Sequence, residues 1–443
     1  LAMQSGARIL LVGDHKQLPP LYDLTVVQSV CKKLNITEDI VRKTDFERLY
    51  EKVNGIMLDT QYRMATPIGN LVSKVFYENM FNDHPELLDI FNETNQKLGH
   101  QQTALAMTVL AAAKNLENLE TLLPQVIQIS HKHRALQIQP EHYPIVGKYL
   151  IGAIKQVLGE LATDEIINAW IEAYDEIASV FIQIEHGMYE QAMWQDFALF
   201  TVVEKTAVAT DIAAFTVIPA DDNQNIELDK LNLTAGQYIT VKTDPKNSEH
   251  LALRHYSLYS ASTNKGIQFA VKRDNCNEHR GLVSNYLHDH LQTGETILLS
   301  APAGDFALNK ELMTQNEIPL ILISAGVGVT PILSMLEAQI ITNPERPIIW
   351  AYACQHKEHH AFYEKTNKLL DSVTNIQKHI FYFDDGQMLD EAWLVNLPKP
   401  ADTYVCGSMV FMENIINDLT TLKHDINTLH YEPFGPKMSL KAS

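Results

Sequence analysis

A chain of 443 residues with 46% hydrophobic and 20% charged residues is too long for one core and too apolar for disorder, so about two to four domains are expected. A formal net charge of -19 argues against general affinity for a nucleic-acid backbone, which draws on surplus Lys and Arg. The cysteines Cys31, Cys276, Cys354 and Cys406 form no CxxC pair, so neither a disulfide framework nor a thiolate zinc site is signalled, and a reducing cytoplasm fits best. No apolar run of about 20 residues predicts a membrane span. The first residue is Leu1 rather than Met, which suggests a truncated reading frame.

Residues 1–75 carry ten Lys/Arg and eight Asp/Glu, a balance of +2, against -21 for the rest. A strand over Ile9-Leu-Leu-Val12 leads into Gly13-Asp-His-Lys-Gln-Leu-Pro-Pro20, and Leu58-Asp-Thr-Gln-Tyr-Arg-Met64 follows. These motifs resemble an α/β fragment of the superfamily 1 RNA/DNA helicases, in which residues matching Gln17 and Arg63 sense or neutralise ATP phosphates. The chain has no Gly-x-x-x-x-Gly-Lys-Ser/Thr loop, so ATP hydrolysis and nucleic-acid binding are not expected.

Residues 76–190 read as all-helical, with apolar side chains at helical spacing in Leu150, Ile151, Ile154, Val157, Leu158 and Leu161. A helix over residues 120–136 places His133 on the apolar stripe of Leu122, Val126, Ile129 and Leu136, with His131 off it. On those residues alone a buried core histidine and a metal ligand both remain open. Ile68, Leu71, Val72 and Val75 predict an amphipathic lead into Tyr77. Residues 191–305 turn to short alternating runs such as Phe200-Thr-Val-Val203 and Ile297-Leu-Leu299, predicting an antiparallel β-barrel.

In that segment Arg254-His-Tyr-Ser257 puts Arg254 and Tyr256 on one face of a strand and Ser257 on the other, chemistry suited to a diphosphate, an isoalloxazine ring and a ring nitrogen. Gly281-Leu-Val-Ser284 then opens a helix and offers an anion cradle. Residues 306–443 alternate apolar strands (Leu320 to Ile323, Ile348 to Tyr352, Ile380 to Phe383, Tyr404-Val405) with helices, the pattern of a parallel α/β sheet. The strand Pro319–Ser324 runs into Ala325-Gly-Val-Gly-Val-Thr-Pro331. Gly326 and Gly328 allow close approach of an anion, Thr330 is expected to cap the following helix, and Pro331 suits its first position.

From about residue 195 onwards the chain resembles the ferredoxin-NADP reductase-like family, through Arg254-x-Tyr256-Ser257, Gly281-x-x-Ser284, Gly326-x-Gly328-x-Thr330-Pro331, Cys406-Gly407 and Tyr431-Glu-Pro-Phe434. The resemblance implies that FAD is held at the first two motifs, with Gln237, Tyr238, Val283 and Glu432 beside it and Phe434 covering the flavin. It places a nicotinamide nucleotide at Gly326 to Pro331 and Cys406-Gly407. Ser408 stands where a proline usually follows Cys-Gly, which is expected to loosen that turn. The loop Cys354-Gln-His-Lys357 lacks an arginine for a ribose phosphate, which favours NADH, with NADPH possible through Lys357.

The helical segment resembles the globin domain of flavohaemoglobins, through Phe76-Tyr-Glu-Asn-Met-Phe81, His84-Pro-Glu-Leu-Leu-Asp-Ile-Phe91-Asn92, Gln101, Lys132-His133, Tyr143-Pro-Ile-Val-Gly147 and Glu185. That resemblance implies haem b with His133 as the iron ligand, Tyr143 and Glu185 around its other nitrogen, Tyr77 and Gln101 on the distal side, Leu105 as the apolar wall and Phe91 against the haem. It further implies a cytoplasmic, monomeric nitric oxide dioxygenase that passes electrons from NAD(P)H through FAD to haem and converts nitric oxide and O2 to nitrate. Two alternatives stay open: a flavin reductase whose globin no longer retains haem, and a helicase relic. The join near Phe76-Tyr77 reads as a gene-fusion or assembly artefact in which the leading globin helices are replaced.

Overall fold

The computed structural model describes residues 56–91, 123–221, 226–245, 250–275 and 281–434, with the backbone alone for 56–67 and 70. The helicase-like residues before 56, Gln17 among them, lie outside the described residues, as do Gln101 and Leu105. Two compact units divide the chain, Leu1–Val72 and Ser73–Ser443.

The first helix among the described residues, α1 (Ile56–Asp83), runs through Leu58 to Met64 and on to Tyr77 without a break. Its buried stripe is Val72, Phe76 and Met80 at four-residue spacing, whereas Ile68 and Leu71 are 46% and 50% exposed, so two members of the expected stripe are not covered. Then come α2 (Leu123–Ala135), α3 (His142–Leu158) and α4 (Asp164–Glu190). Thr163 caps α4 by accepting from the Ile166 amide at 3.4 Å, and Asp164 and Glu165 favour the positive end of the helix dipole. Leu161 was expected on the stripe of α3 but is 72% exposed, because Gly159 at φ +55 ends the helix first. The Tyr174 ring of α4 lies against Gly147 of α3 where a Cβ would sit 2.5 Å from Cε1, and its hydroxyl donates to the Tyr143 carbonyl at 2.6 Å. That close helix approach fixes where Tyr143 stands.

Six strands form an antiparallel sheet: β1 (Phe197–Ala209), β2 (Ile212–Pro219), β3 (Tyr238–Thr243), β4 (Ala252–Ser257), β5 (Ile267–Lys272) and β6 (Thr296–Ser300), in the order β4-β3-β6-β1-β2-β5. The outer strands approach each other through a bridge between Leu258 and Phe269. Phe200, Phe215, Ile239, Val241, Phe269 and Leu299 fill the interior, and the helix α5 (Leu282–Asp289) packs Val283 and Leu287 into it.

The last part is a five-stranded parallel sheet of β7 (Leu320–Ala325), β8 (Ile348–Cys354), β9 (Ile376–Tyr382), β10 (Asp402–Cys406) and β11 (Leu429–Tyr431), in the order β11-β10-β7-β8-β9. Leu320 and Leu322 belong to the apolar cluster on one face and Ile321 and Ile323 to that on the other, which is why the strands read as unbroken apolar runs. The helices α6 (Val329–Thr342), α7 (Tyr363–Leu370), α8 (Glu391–Leu394) and α9 (Met409–Thr421) connect them. The chain order reverses between β7 and β10, and the crevice outside their carboxyl ends is where this architecture binds ligands.

Buried His360 follows β8, its Nδ1 2.8 Å from the Tyr382 hydroxyl and its ring stacked 4.5 Å from Tyr352. Burial, with Lys378 adding repulsion, pushes it down to about 4 from 6.5. The folded state therefore resists protonating a group that the unfolded chain protonates readily. Stability is expected to be full above pH 6.5 and to fall by up to about 3 kcal/mol as the pH drops towards 4. Chemical denaturation of His360→Asn should show a shallower loss over that range than the parent protein.

Candidate functional site

His133 lies near the end of α2, and Tyr143 and Glu185 reach it from α3 and α4. Its Nδ1 is 2.7 Å from Glu185 Oε1 and 3.1 Å from the Tyr143 hydroxyl, and that hydroxyl donates to the same carboxylate oxygen at 2.8 Å. Burial and the Glu185 charge hold the Tyr143 phenol well above its ordinary value, so it keeps its proton. An ionised carboxylate only accepts, and Tyr143 gives its single proton to Glu185; the Nδ1 contact with Glu185 is therefore satisfied by an imidazole N–H. Nε2 is left with a lone pair and, among the described residues, no hydrogen-bond partner. This is the donor set a metal-ligating histidine would need.

The aromatic residues Tyr77, Phe81 and Phe91 form a second group, with ring centroids 5.5 Å apart for Tyr77 and Phe81, 5.8 Å for Tyr77 and Phe91, and 5.3 Å for Phe81 and Phe91. Burial raises the Tyr77 phenol above its usual range, so it stays protonated and able to donate.

On the antiparallel sheet, β3 and β4 pair with Tyr238 opposite Ser257, Ile239 opposite Tyr256 and Val241 opposite Arg254. Arg254 and Tyr256 thus share the face of Ile239 and Val241, while Ser257 shares the other with Tyr238. The Tyr238 hydroxyl is buried without a hydrogen-bond partner among the described residues, an orphan that a bound polar group would satisfy. Gln237 holds the entry to β3, its side-chain oxygen accepting from the Thr234 amide at 2.9 Å.

Gly281 precedes α5, whose first-turn amides have no intrahelical acceptor. A Cβ at Gly281 would lie 2.7 Å from both Asp274 Cβ and Ser284 Oγ. Ser284 was expected to face an anion, but its hydroxyl accepts from the Asp274 amide at 3.1 Å, so the backbone amides, with buried Val283 beneath them, are what remains for a phosphate. Glu432 is buried near the end of the described chain and Phe434 is 45% exposed.

At the carboxyl end of β7, Gly326 takes φ +55, where only glycine is unstrained. Gly328 is the residue that caps α6, so Thr330 and Pro331 are its second and third residues rather than its cap and first. The Thr330 hydroxyl donates backwards to the Val327 carbonyl at 2.9 Å, which holds the turn closed, and Pro331 still costs no bond because first-turn amides have no intrahelical partner. A Cβ on Gly328 would fall 2.5 Å from the Cys406 carbonyl oxygen, and Gly407 lies against the Phe411 ring; the two loops touch backbone to backbone. Ser408 does not loosen this turn. It caps α9 by accepting from the Phe411 amide at 3.3 Å, doing with a side chain what a rigid ring would do by restriction. Gly328→Ala is expected to cost about 1–3 kcal/mol, since neither backbone can move aside. Thermal melting checks it.

Comparison with known proteins follows the same division. Residues 74–181 match the family described as Globin, residues 199–308 the Oxidoreductase FAD-binding domain, and residues 322–417 the Oxidoreductase NAD-binding domain. A flavohemoprotein of Oceanobacillus iheyensis is 41% identical over 383 residues, covering 83% of this chain and 92% of the relative. One from Bacillus subtilis is 40% identical over 394 residues, covering 85% and 95%. The chain belongs to the flavohemoprotein family. Among solved structures, a flavohemoglobin from Malassezia yamatoensis, crystallised with bound FAD and heme, superposes with a TM-score of 0.77 at 26% identity, covering 85% of this chain and 97% of that one.

As a flavohemoprotein, the chain brings together residues far apart in sequence: His133, Tyr143 and Glu185 in one hydrogen-bonded group, and the Gly326 to Gly328 turn with Cys406-Gly407. The fold also joins residues that the motifs did not single out. Ser260, just past β4, donates to Glu337 on α6, and Lys365 on α7 lies 3.5 Å from the same carboxylate, so the strand of Tyr256 is tied to the helix of the nucleotide turn. Arg134, next to His133, reaches the segment that follows β6. Neither contact leaves a local sequence signal, because the partner lies 77 and 167 residues away.

Proposed function

We propose that this flavohemoprotein is an NAD(P)H-dependent nitric oxide dioxygenase, acting as a cytoplasmic monomer on nitric oxide and O2, with NADH preferred. The observation that carries the reading is the His133 group: a ring nitrogen left with its lone pair, on an imidazole oriented by a carboxylate and a phenol. Among the described residues no cluster of three or more His, Cys, Asp or Glu could hold a metal, and His133 fits a haem, which needs one protein ligand. The orphaned Tyr238 hydroxyl fits a flavin, and the Gly326 to Gly328 turn a pyrophosphate. We assign residues 76–190 to the haem domain, 191–305 to an FAD-binding barrel and 306–443 to the NAD(P)-binding domain.

When bound, the flavin and the haem supply the redox chemistry, taking hydride from NADH and delivering single electrons for the conversion of nitric oxide and O2 to nitrate. The chain supplies position and charge. Glu185 draws on the Nδ1 proton and raises the basicity of Nε2; Tyr143 keeps that carboxylate aligned; Tyr77 presents a protonated hydroxyl beside the Phe81 and Phe91 rings, and Gln101 and Leu105 are assigned to the same side. Arg254, Tyr256, Ser257, Gly281, Val283 and Ser284, with Gln237, Glu432 and Phe434, are assigned to FAD, and Gly326, Gly328, Thr330, Pro331, Cys406 and Gly407 to the nicotinamide nucleotide. Residues 1–75 retain their helicase-like motifs without an assigned activity. Among the described residues no helix is long and apolar enough to cross a membrane.

Purified protein carrying both absorbance bands should consume nitric oxide in the presence of NADH and O2 and release nitrate. Flavin absorbance without a haem band, together with NADH oxidation by artificial acceptors, would replace this reading with that of a flavin reductase.

A further inference from the structure

Consecutive residues of an α-helix are rotated by about 100°, so His133 and Arg134 leave α2 on different sides. His133 meets Tyr143 and Glu185. Arg134, 4% exposed, reaches the chain beyond β6; Nη1 donates to the Ala301 carbonyl at 2.8 Å and Nη2 to the carbonyl of Pro302. Both acceptors sit in the segment directly after β6. The same turn of α2 makes two more contacts there: the Gly304 amide donates to His131 Nδ1 at 3.4 Å, and Ala135 packs with Tyr238 and Ala303 in a small buried cluster. Ala303 is bonded to Tyr238 in both directions, at 2.8 and 2.9 Å, and Tyr238 stands opposite Ser257 in the β3–β4 register. A short rigid path thus runs from His133 through Arg134 to the strands assigned to the flavin.

The chemistry of Arg134 is unusual for a mere fastener. Its hydrogen bonds go to backbone carbonyls, and among the described residues no carboxylate pairs with it, so a buried cation is held by dipoles alone. Burying a charge in that way is expensive, and an apolar side chain would join the two surfaces at lower cost. A planar guanidinium, however, fixes two acceptors in one geometry, which a single ammonium does not.

We infer that Arg134 is a positioning residue that sets the separation and orientation of the His133 site relative to the flavin strands, and so governs electron passage from flavin to haem. The inference rests on the proposed function. Hydride from NADH still reaches the flavin when Arg134 is changed, because the nucleotide turn lies in the parallel-sheet domain; only the onward transfer of single electrons to haem depends on this anchor.

The test compares the full-length holoprotein with Arg134→Gln and Arg134→Lys. Mixing with NADH without oxygen, and following flavin and haem absorbance separately, should show flavin reduction at the parent rate in all three. Haem reduction should slow on the order of tenfold or more in the Gln variant, as small misplacements of reacting centres do. The Lys variant, which keeps one carbonyl contact, should recover part of the rate. Hydrogen exchange of the same proteins before NADH addition should show lost protection in residues 131–137 and 300–304. Haem reduction at the parent rate, parallel loss of flavin and haem reduction, or unchanged exchange in those segments would each overturn the inference. A parent protein that takes up no haem would instead defeat the functional reading, and the exchange comparison would still decide whether Arg134 is the anchor.

Discussion

His133→Ala is expected to abolish haem absorbance and nitric oxide consumption while NADH-dependent reduction of ferricyanide through the flavin continues unchanged. The side chain provides the Nε2 lone pair, and the neighbouring imidazole does not take its place: His131, two residues earlier, points to the Gly304 amide and is lowered by burial, so it stays neutral at its own station. Removing groups that only orient a metal ligand typically costs about 10–100-fold, so deletion of the ligand itself should exceed about 100-fold in nitric oxide consumption. Glu185→Gln gives the graded counterpart. It can still accept from Nδ1 across the 2.7 Å contact but carries no charge, so haem should be retained and turnover should fall by about 10–100-fold. Absorbance spectra, nitrate yield and ferricyanide reduction on the same preparations separate these outcomes; an Ala variant with normal haem content and nitrate yield would remove His133 from the iron site.

Much of this site was legible because its chemistry needs local patterns. Strand, glycine turn and helix from Leu320 to Thr342 follow one another in sequence as they do in space, and His133 fell on a helix that the apolar spacing predicts, whereas Tyr143 and Glu185 came only from the resemblance to flavohaemoglobins. The details that differed depend on where neighbouring backbone ends up. Gly328 rather than Thr330 caps α6 because the Cys406 carbonyl already occupies the space a side chain would need. Ser408 caps a helix whose start cannot be fixed without knowing that Phe411 packs on Gly407. The Ser284 hydroxyl turns to Asp274, ten residues back in a loop, rather than outward. Ile68, Leu71 and Leu161 obey helical spacing yet stay exposed, since periodicity marks a face without saying whether anything covers it.

Replacing Arg346 by Met is expected to cost about 3–5 kcal/mol of stability. Arg346 and Asp402 are both fully buried at the starting edge of the parallel sheet, 3.1 Å apart through Nη2 and Oδ2. The remaining guanidinium groups are also bound, Nε donating to the Ile318 carbonyl at 2.9 Å and Nη1 to Gln339 Oε1 at 3.0 Å, so one side chain gathers the entry to β7, the last turn of α6 and the start of β10. In the Met variant the Asp402 carboxylate stays buried without its cation, with the His430 ring 3.2 Å from Oδ1. Pairing it with Asp402→Asn removes the stranded charge and should return a substantial part of the loss, because an uncompensated ion costs more than a missing pair. Since typical domains have only about 5–15 kcal/mol in hand, the single variant should melt its parallel sheet well below the parent temperature. Nucleotide binding should then fail with it, because β7 and β10, whose carboxyl ends form the Gly326 to Gly328 and Cys406-Gly407 loops, are the strands this network holds at their other end.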